Sequence, residues 1–343
     1  MSTTVAERTP RSHVVAALVA VYLVWGSTYL AIRYAIVTLP PFLMGGVRFL
    51  VAGAVLYAVV RRRAAAPTRA QWGWSALAGV LLVGIGNGSV AWAEQRVASG
   101  TAALLVATVA LWIVLLDWLR PGGRRPPALV MAGVLLGLAG VAGLVGPGGF
   151  GAGAGAASAG ASHVDLVGAL VLVGASFAWA VGSLLARTAR MPRPMLLGAA
   201  IQMLAGGAWL LLFGLATGEG ARLHLGAVSG RSLLAVGYLV VFGSLIGYTA
   251  YIWLVGHVAP ALATTYAYVN PVIAVLLGWA VAGEPLDARI AAAAAAIVGA
   301  VALVSVGQAR YARRHEPQTQ HGPAPQGSRP VRRAEPRARP ARR

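Results

Sequence analysis

Apolar residues in this chain come in long runs, separated by short stretches where Arg, Pro and Gly gather. Ten runs are readable, at 14–36, 42–60, 72–93, 98–119, 128–146, 166–187, 195–217, 232–255, 259–282 and 289–308. Each is near the roughly 20 residues an α-helix needs to cross a bilayer core. The pattern predicts an all-α polytopic membrane protein with ten transmembrane helices. Composition agrees, since 58% hydrophobic and 11% charged residues over 343 positions exceed what one soluble core buries. The first run is longer than the about 15 residues of a signal-peptide core and no small-residue cleavage site closes it, so it reads as a retained helix.

Some runs resemble one another. At a shift of 161, residues 80–119 lie on 241–280 without a gap: Gly86 falls on Gly247, Trp92 on Trp253, Val97 on Val258 and Trp118 on Trp279. A shift of 154 places Trp25 on Trp179, Leu30 on Leu184 and Arg33 on Arg187. The chain thus reads as two related halves, 14–146 and 166–308, joined by a Gly- and Ala-rich extracytoplasmic linker over 147–165. With an odd number of crossings per half, the second half starts from the opposite face, so inverted repeats are expected. Residues 1–13 form a short N-terminal segment, and 309–343 an Arg- and Pro-rich tail expected to be disordered.

Charge gives the orientation. Arg61, Arg62, Arg63 and Arg69 join the second and third runs, Arg120, Arg124 and Arg125 lie near the loop between the fourth and fifth, and Arg187, Arg190 and Arg193 between the sixth and seventh. On the other side, Arg33, Arg96, Arg222, Arg231 and Arg289 are offset by Glu94, Asp165, Glu219, Glu284 and Asp287. Arg-rich short loops stay cytoplasmic, which puts both termini there. All 28 basic residues are Arg, which with abundant Ala and Gly fits a GC-rich bacterial genome and an inner-membrane location. The tail carries ten Arg against Glu316 and Glu335, a net +8 that suits a cytoplasmic tail near acidic lipid headgroups, with no specific nucleic-acid partner. Cysteine is absent, so disulfides and thiolate metal sites are excluded.

Polar and aromatic residues inside the runs are the candidate chemistry. Trp25 lies about 16 Å into the first helix, far from the interfacial belts where Trp usually sits. Tyr22, Trp25 and Tyr29 share a face, and Trp179 is the counterpart in the second half. Such a stripe either lines a substrate cavity or fills the bundle interior. Tyr248, Tyr251, Tyr266 and Asn270 form the densest cluster, and Pro271 removes a backbone donor beside Asn270. Either a substrate-facing patch or a helix-to-helix hydrogen bond at a kink accounts for them. Asn87 lies in a Gly84-x-Gly86-x-Gly88 run that lacks the strand-turn-helix context of a dinucleotide site. Trp92 follows on the same helix. Arg48, about six residues inside the second helix, is expected to snorkel outward or to pair with Glu94 or Glu284 at the extracytoplasmic helix ends. No carboxylate sits clearly at mid-depth. All six His fall outside the runs, no His-Glu-x-x-His occurs, and Gly174-Ala175-Ser176 lacks the closing Gly of a nucleophile elbow. An enzyme is therefore not expected, nor a cofactor or a metal.

Several stretches together resemble the EamA family of the drug/metabolite transporter superfamily, and within it the YedA-like exporters. They are Trp25-Gly26-Ser27-Thr28-Tyr29, Pro40-Pro41 with Arg48-Phe49, Asn87 through Glu94, Ser99-Gly100-Thr101, Tyr266 through Pro271, and Gly283-Glu284-Pro285. The resemblance covers 14–308 and implies two inverted five-helix repeats exporting small-molecule metabolites or drugs by alternating access. Similar proteins tend to carry a Pro where this chain has Ala110, so the fourth helix is expected to be less kinked than the ninth. The function expected is inner-membrane export of amino-acid-like or amphipathic solutes. Candidate binding residues are Trp25, Tyr29, Asn87, Trp92, Trp179, Tyr248, Tyr251, Tyr266 and Asn270, with Arg48, Glu94, Pro271 and Glu284 as structural or gating residues. Uptake of amino acids or sugars, or a non-transporting adaptor acting through its basic tail, are the alternatives. Cargo, direction, coupling to protons or another ion, and oligomeric state stay open at this level.

Overall fold

The computed structural model describes residues 10–121, 125–145, 164–258, 262 and 265–314, and among these no strand occurs. In chain order the helices are α1 (Arg11–Ala35), α2 (Pro41–Arg61), α3 (Arg69–Ala93), α4 (Ser99–Leu119), α5 (Ala128–Val145), α6 (Leu166–Thr188), α7 (Met195–Ala216), α8 (Gly230–Leu254), α9 (Tyr266–Ala282) and α10 (Ala288–Arg314). All but α9 are long and apolar enough to cross a membrane, and α9 is a shorter apolar helix. Outward faces are apolar too, as at Leu212 and Leu234, which is how a helix meets lipid.

Local chemistry sets the helix ends. Pro41 occupies the first position of α2, where its missing N–H costs nothing. Thr68 and Gln71 form a reciprocal capping box at the start of α3. Asp165 Oδ1 accepts from Gly168 N at 2.6 Å to open α6. Gly283, at φ 64°, ends α9 in the left-handed region open to glycine.

Two boundaries are corrected. Helix α1 already starts at Arg11, inside the expected N-terminal segment, and α10 runs on through Arg314, six residues past the expected end at 308. The added stretch is Ala, Arg and Tyr without Gly or Pro, so no helix breaker interrupts it. The expected linker, apart from Val164 and Asp165, and the tail beyond 314 lie outside the described residues.

The most extensive contacts join α2 to α7 and α5 to α10. Glycine permits the first. A Cβ on Gly46 would come within 2.9 Å of Leu211 N, and one on Gly207 within 2.8 Å of Leu50 N, so the two backbones touch. Changing each helix number by five carries the pairs α1–α9 onto α6–α4, α1–α8 onto α6–α3, and α3–α7 onto α8–α2.

Helices α3 and α8 each contain a π-helical stretch, at Val80–Asn87 and Leu239–Ile246. Widened turns of this kind leave carbonyls to be satisfied by other donors, and they recur at functional sites. Leu82 O accepts from Asn87 Nδ2 at 3.3 Å, and Gly243 O from Trp25 Nε1 at 3.1 Å. Leu82 and Gly243 are 161 positions apart, the spacing of the sequence repeat.

The expected contrast between the fourth and ninth helices is overturned. Helix α4 is interrupted at Ala107–Thr108, between Ser99–Val106 and Val109–Leu119, although no proline is present. Hydroxyls gather at the break: Thr108 Oγ1 donates to Leu105 O at 2.6 Å beside the Thr108 N bond to the same oxygen, and Ser176 Oγ, bonded to Leu172 O at 2.9 Å, lies 3.3 and 3.4 Å from Leu105 O and Val106 O. Pro271 sits inside a continuous α9, six residues from its start.

Candidate functional site

Helices α1, α2, α3, α4, α6, α8 and α9 line a cavity of about 130 Å³. Of the residues predicted from sequence, Trp25, Tyr29, Arg48, Asn87, Trp179, Tyr248, Tyr266 and Asn270 line it. Trp25 is the hub. Its ring centroid lies 6.0 Å from that of Tyr248, 5.2 Å from Tyr251 and 5.1 Å from Tyr266, with edge-to-face geometry at Tyr248 and Tyr266. Tyr251 stands behind this wall against Trp25 and Tyr266. Tyr22 continues the α1 stripe and bonds Thr265 Oγ1.

The two tryptophans make the same contact from opposite halves. A Cβ on Gly247 of α8 would collide with the Trp25 indole, and one on Gly86 of α3 would reach 2.8 Å from Trp179 Cε3. Trp25 and Trp179 are 154 positions apart, and Gly86 and Gly247 are 161 apart. Each indole therefore lies on a glycine of the other half, and only a residue without a side chain leaves room for it.

Trp92 is corrected. It faces a separate, more open groove of about 470 Å³ with Phe42, Trp209 and Phe213, under the guanidinium of Arg96. Five residues beyond Asn87, it is turned about 140° around α3 at 3.6 residues per turn, so both cannot face one cavity. Asn270, 8% exposed, lines the cavity with an Oδ1 that has no hydrogen-bond partner, and the adjacent Pro271 is buried in the helix without lining it.

The charged residues also depart from expectation. Arg48 does not snorkel and is not ion-paired. At 5% exposure it lines the cavity, its Nε donates to Ser244 Oγ at 3.1 Å, and its guanidinium lies 4.4 Å from the centre of the Phe49 ring. Arg33 takes the place expected of Arg48, with its Nη1 2.5 Å from Glu284 Oε1. Glu284 is otherwise occupied by the start of α4, accepting from Ser99 N, Ser99 Oγ and Gly100 N at 2.8, 2.7 and 3.0 Å. A carboxylate at a helix N-terminus is favoured by the exposed N–H groups there.

Glu94, one residue past the apolar span of α3, is 6% exposed, and neither carboxyl oxygen has a hydrogen-bond partner. Burial, then the neighbouring Glu284 carboxylate, raises its pKa well above the ordinary carboxylate value, against the pull of Arg33 and Arg48.

Sequence reading missed Ser244, Ser176 and Gln202. The first two are isolated hydroxyls in apolar runs. Gln202 carried a usable signal, since at the 154 shift it falls on Arg48, and it receives the Tyr248 hydroxyl at 3.4 Å. Among the described residues no cluster of His, Asp or Glu suited to a metal ion occurs.

Membrane-length helices closed around an aromatic and polar cavity define a membrane transporter. The chain belongs to the EamA-like transporter family, which matches it over residues 12–146 and again over 166–306. It is 42% identical over 295 residues to the uncharacterized inner membrane transporter YedA of Escherichia coli, covering 85% of this chain and 90% of that protein. It is 23% identical over 297 residues to the uncharacterized transporter YvbV of Bacillus subtilis, covering 86% and 92% of the two chains. A solved structure described only as the crystal structure of a protein aligns with a TM-score of 0.57 at 25% identity, over 90% of this chain and 100% of that one.

Proposed function

We propose that this transporter exports small organic metabolites or drugs, amino-acid-like or amphipathic solutes, across a bacterial inner membrane by alternating access. In this reading its ten helices form two inverted five-helix repeats, with both termini cytoplasmic. The observation that carries it is the pair of indoles, Trp25 on Gly247 and Trp179 on Gly86, that meet around the cavity from opposite halves. At about 130 Å³ the cavity is smaller than the about 300 to 1,000 Å³ of typical ligand pockets, so the halves must part to admit a metabolite. Rocking of one repeat against the other does this, and the exchange of helix contacts by five supports that symmetry. The cargo class follows from the lining. Aromatic rings take an apolar body, the unpaired Arg48 guanidinium an anionic group, and Asn270 Oδ1 a hydrogen-bond donor. The printed name of YedA, an inner membrane transporter, supports the location.

The test uses right-side-out vesicles preloaded with labelled amino acids and aromatic carboxylates. Efflux of part of the mixture, faster with the parent chain than with Trp25→Ala at equal abundance, is expected. Equal rates for both chains would overturn the assignment of the cavity.

A further inference from the structure

Two buried charged side chains lack an ionic partner: Arg48 lines the cavity, and Glu94 follows the cavity-lining Asn87 and Val90 on one face of the third helix, at i+7 and i+4. Arg48 has no carboxylate within ion-pair distance among the described residues, whose ion pairs are Arg33–Glu284, Arg96–Asp165 and Arg120–Asp117. Glu94 has no hydrogen bond at either carboxyl oxygen. The ionisable groups whose charge or hydroxyl Glu94 feels are Tyr29 and Arg33 from α1, Arg48 from α2, and Glu284 from the segment between α9 and α10. Of these, Arg33 and Glu284 already hold each other, which leaves Arg48 as the available cation.

The scaffold does not require this pair. At the repeat spacings Arg48 falls on Gln202 and Glu94 on Val255, so the second half carries no charge at either corresponding position. An unpaired carboxyl removed from water takes a proton instead of bearing a charge. That matches an acid with both oxygens unbonded, while Arg48 is left facing the cavity.

We propose that Glu94 is the proton-binding group of this transporter, and that it competes with an anionic group of the cargo for Arg48. With Glu94 protonated, Arg48 is free to hold the cargo anion. When the cargo leaves, the Glu94 O–H bond breaks, its proton passes to water entering the cavity, and the carboxylate takes the Arg48 guanidinium. Proton and cargo are therefore bound and released together, so they cross in the same direction and export runs down the cargo's own outward gradient. This deepens the proposed export function and rests on its assignment of Arg48 to the cargo site.

Two measurements on the full-length chain separate the two ideas. Infrared spectra of the purified protein at about neutral pH, where an ordinary Glu with pKa about 4.3 is ionised, should show a protonated carboxyl band that Glu94→Gln removes. Glutamine imitates the neutral acid, so this variant should fold as well as the parent. Its thermal stability should exceed the parent's increasingly as pH rises above about 4.3, because the raised folded-state pKa costs the parent stability over that window and Gln escapes it. Binding of phenylacetate, an aromatic carboxylate probe, should weaken about tenfold per pH unit above the Glu94 titration in the parent, as one linked proton requires. Binding should be flat with pH in Glu94→Gln and lost in Arg48→Gln. Absence of the carboxyl band, or a parent pH slope that Glu94→Gln leaves unchanged, would overturn the proposal. If the band is present and lost in Glu94→Gln while no chain binds phenylacetate, the proton site stands and the anionic-cargo reading fails.

Discussion

Trp25 shows why single residues decide this site. Its indole N–H is committed to Gly243 O and its ring packs against Gly247 and three tyrosines, so it holds α1, α8 and α9 in one arrangement. Trp25→Ala and Asn270→Ala are predicted to slow transport strongly without lowering membrane abundance, measured as efflux rate against immunoblotted protein. Gly247→Val should push the indole aside at a cost of about 1–3 kcal/mol, the usual range for overpacking, and show as a lower melting temperature in detergent. The depth of Trp25 was readable from its position in the first apolar run, and Tyr29, Asn87, Trp179, Tyr248, Tyr266 and Asn270 were readable as polar or aromatic interruptions. Arg48 was found but misplaced, because which carboxylate a buried cation meets depends on the approach of distant helices. Arg33 won Glu284 from 251 positions away.

Elements are held by their ends. Glu284 ties the segment after α9 to the first turn of α4 and to Arg33, and Glu219 does similar work for α2, accepting from Phe42 N and Leu43 N at 3.3 and 2.9 Å. Glu284→Ala is therefore predicted to destabilise the fold by about 1.5–3 kcal/mol, the range for a charge-assisted hydrogen bond, discounted because Arg33 is 37% exposed. Thermal denaturation of the purified variant checks this. Among the described residues, nine of the ten runs correspond to helices long and apolar enough to cross a membrane and the run at 259–282 to a shorter apolar helix, since apolar length is a strong signal. The break in α4 was not. Sequence reading looks for proline, whereas here the hydroxyls of Thr108 and Ser176 accompany the irregular backbone. The π-helical stretches in α3 and α8 were equally hidden, although the glycines around them were visible.

For the whole molecule, two numerical offsets in the sequence relate its two halves. Trp25 against Gly247 and Trp179 against Gly86 restate those offsets as contacts. Trp92 was misassigned because a repeat spacing says which residues correspond, not which way a helix turns them. Since α10 is helical through Arg314, a truncation that respects the fold removes 315–343. That deletion is predicted to leave efflux near the parent rate in the vesicle assay, because the cavity is built from α1, α2, α3, α4, α6, α8 and α9. Loss of all activity with the tail would point to an adaptor instead. The most direct measurement is an untargeted comparison of metabolites inside and outside cells expressing the parent chain or Trp25→Ala at matched membrane levels. A compound that gathers outside only with the parent is the predicted result. Matching extracellular pools, or a compound that gathers inside with the parent, would contradict export through this cavity.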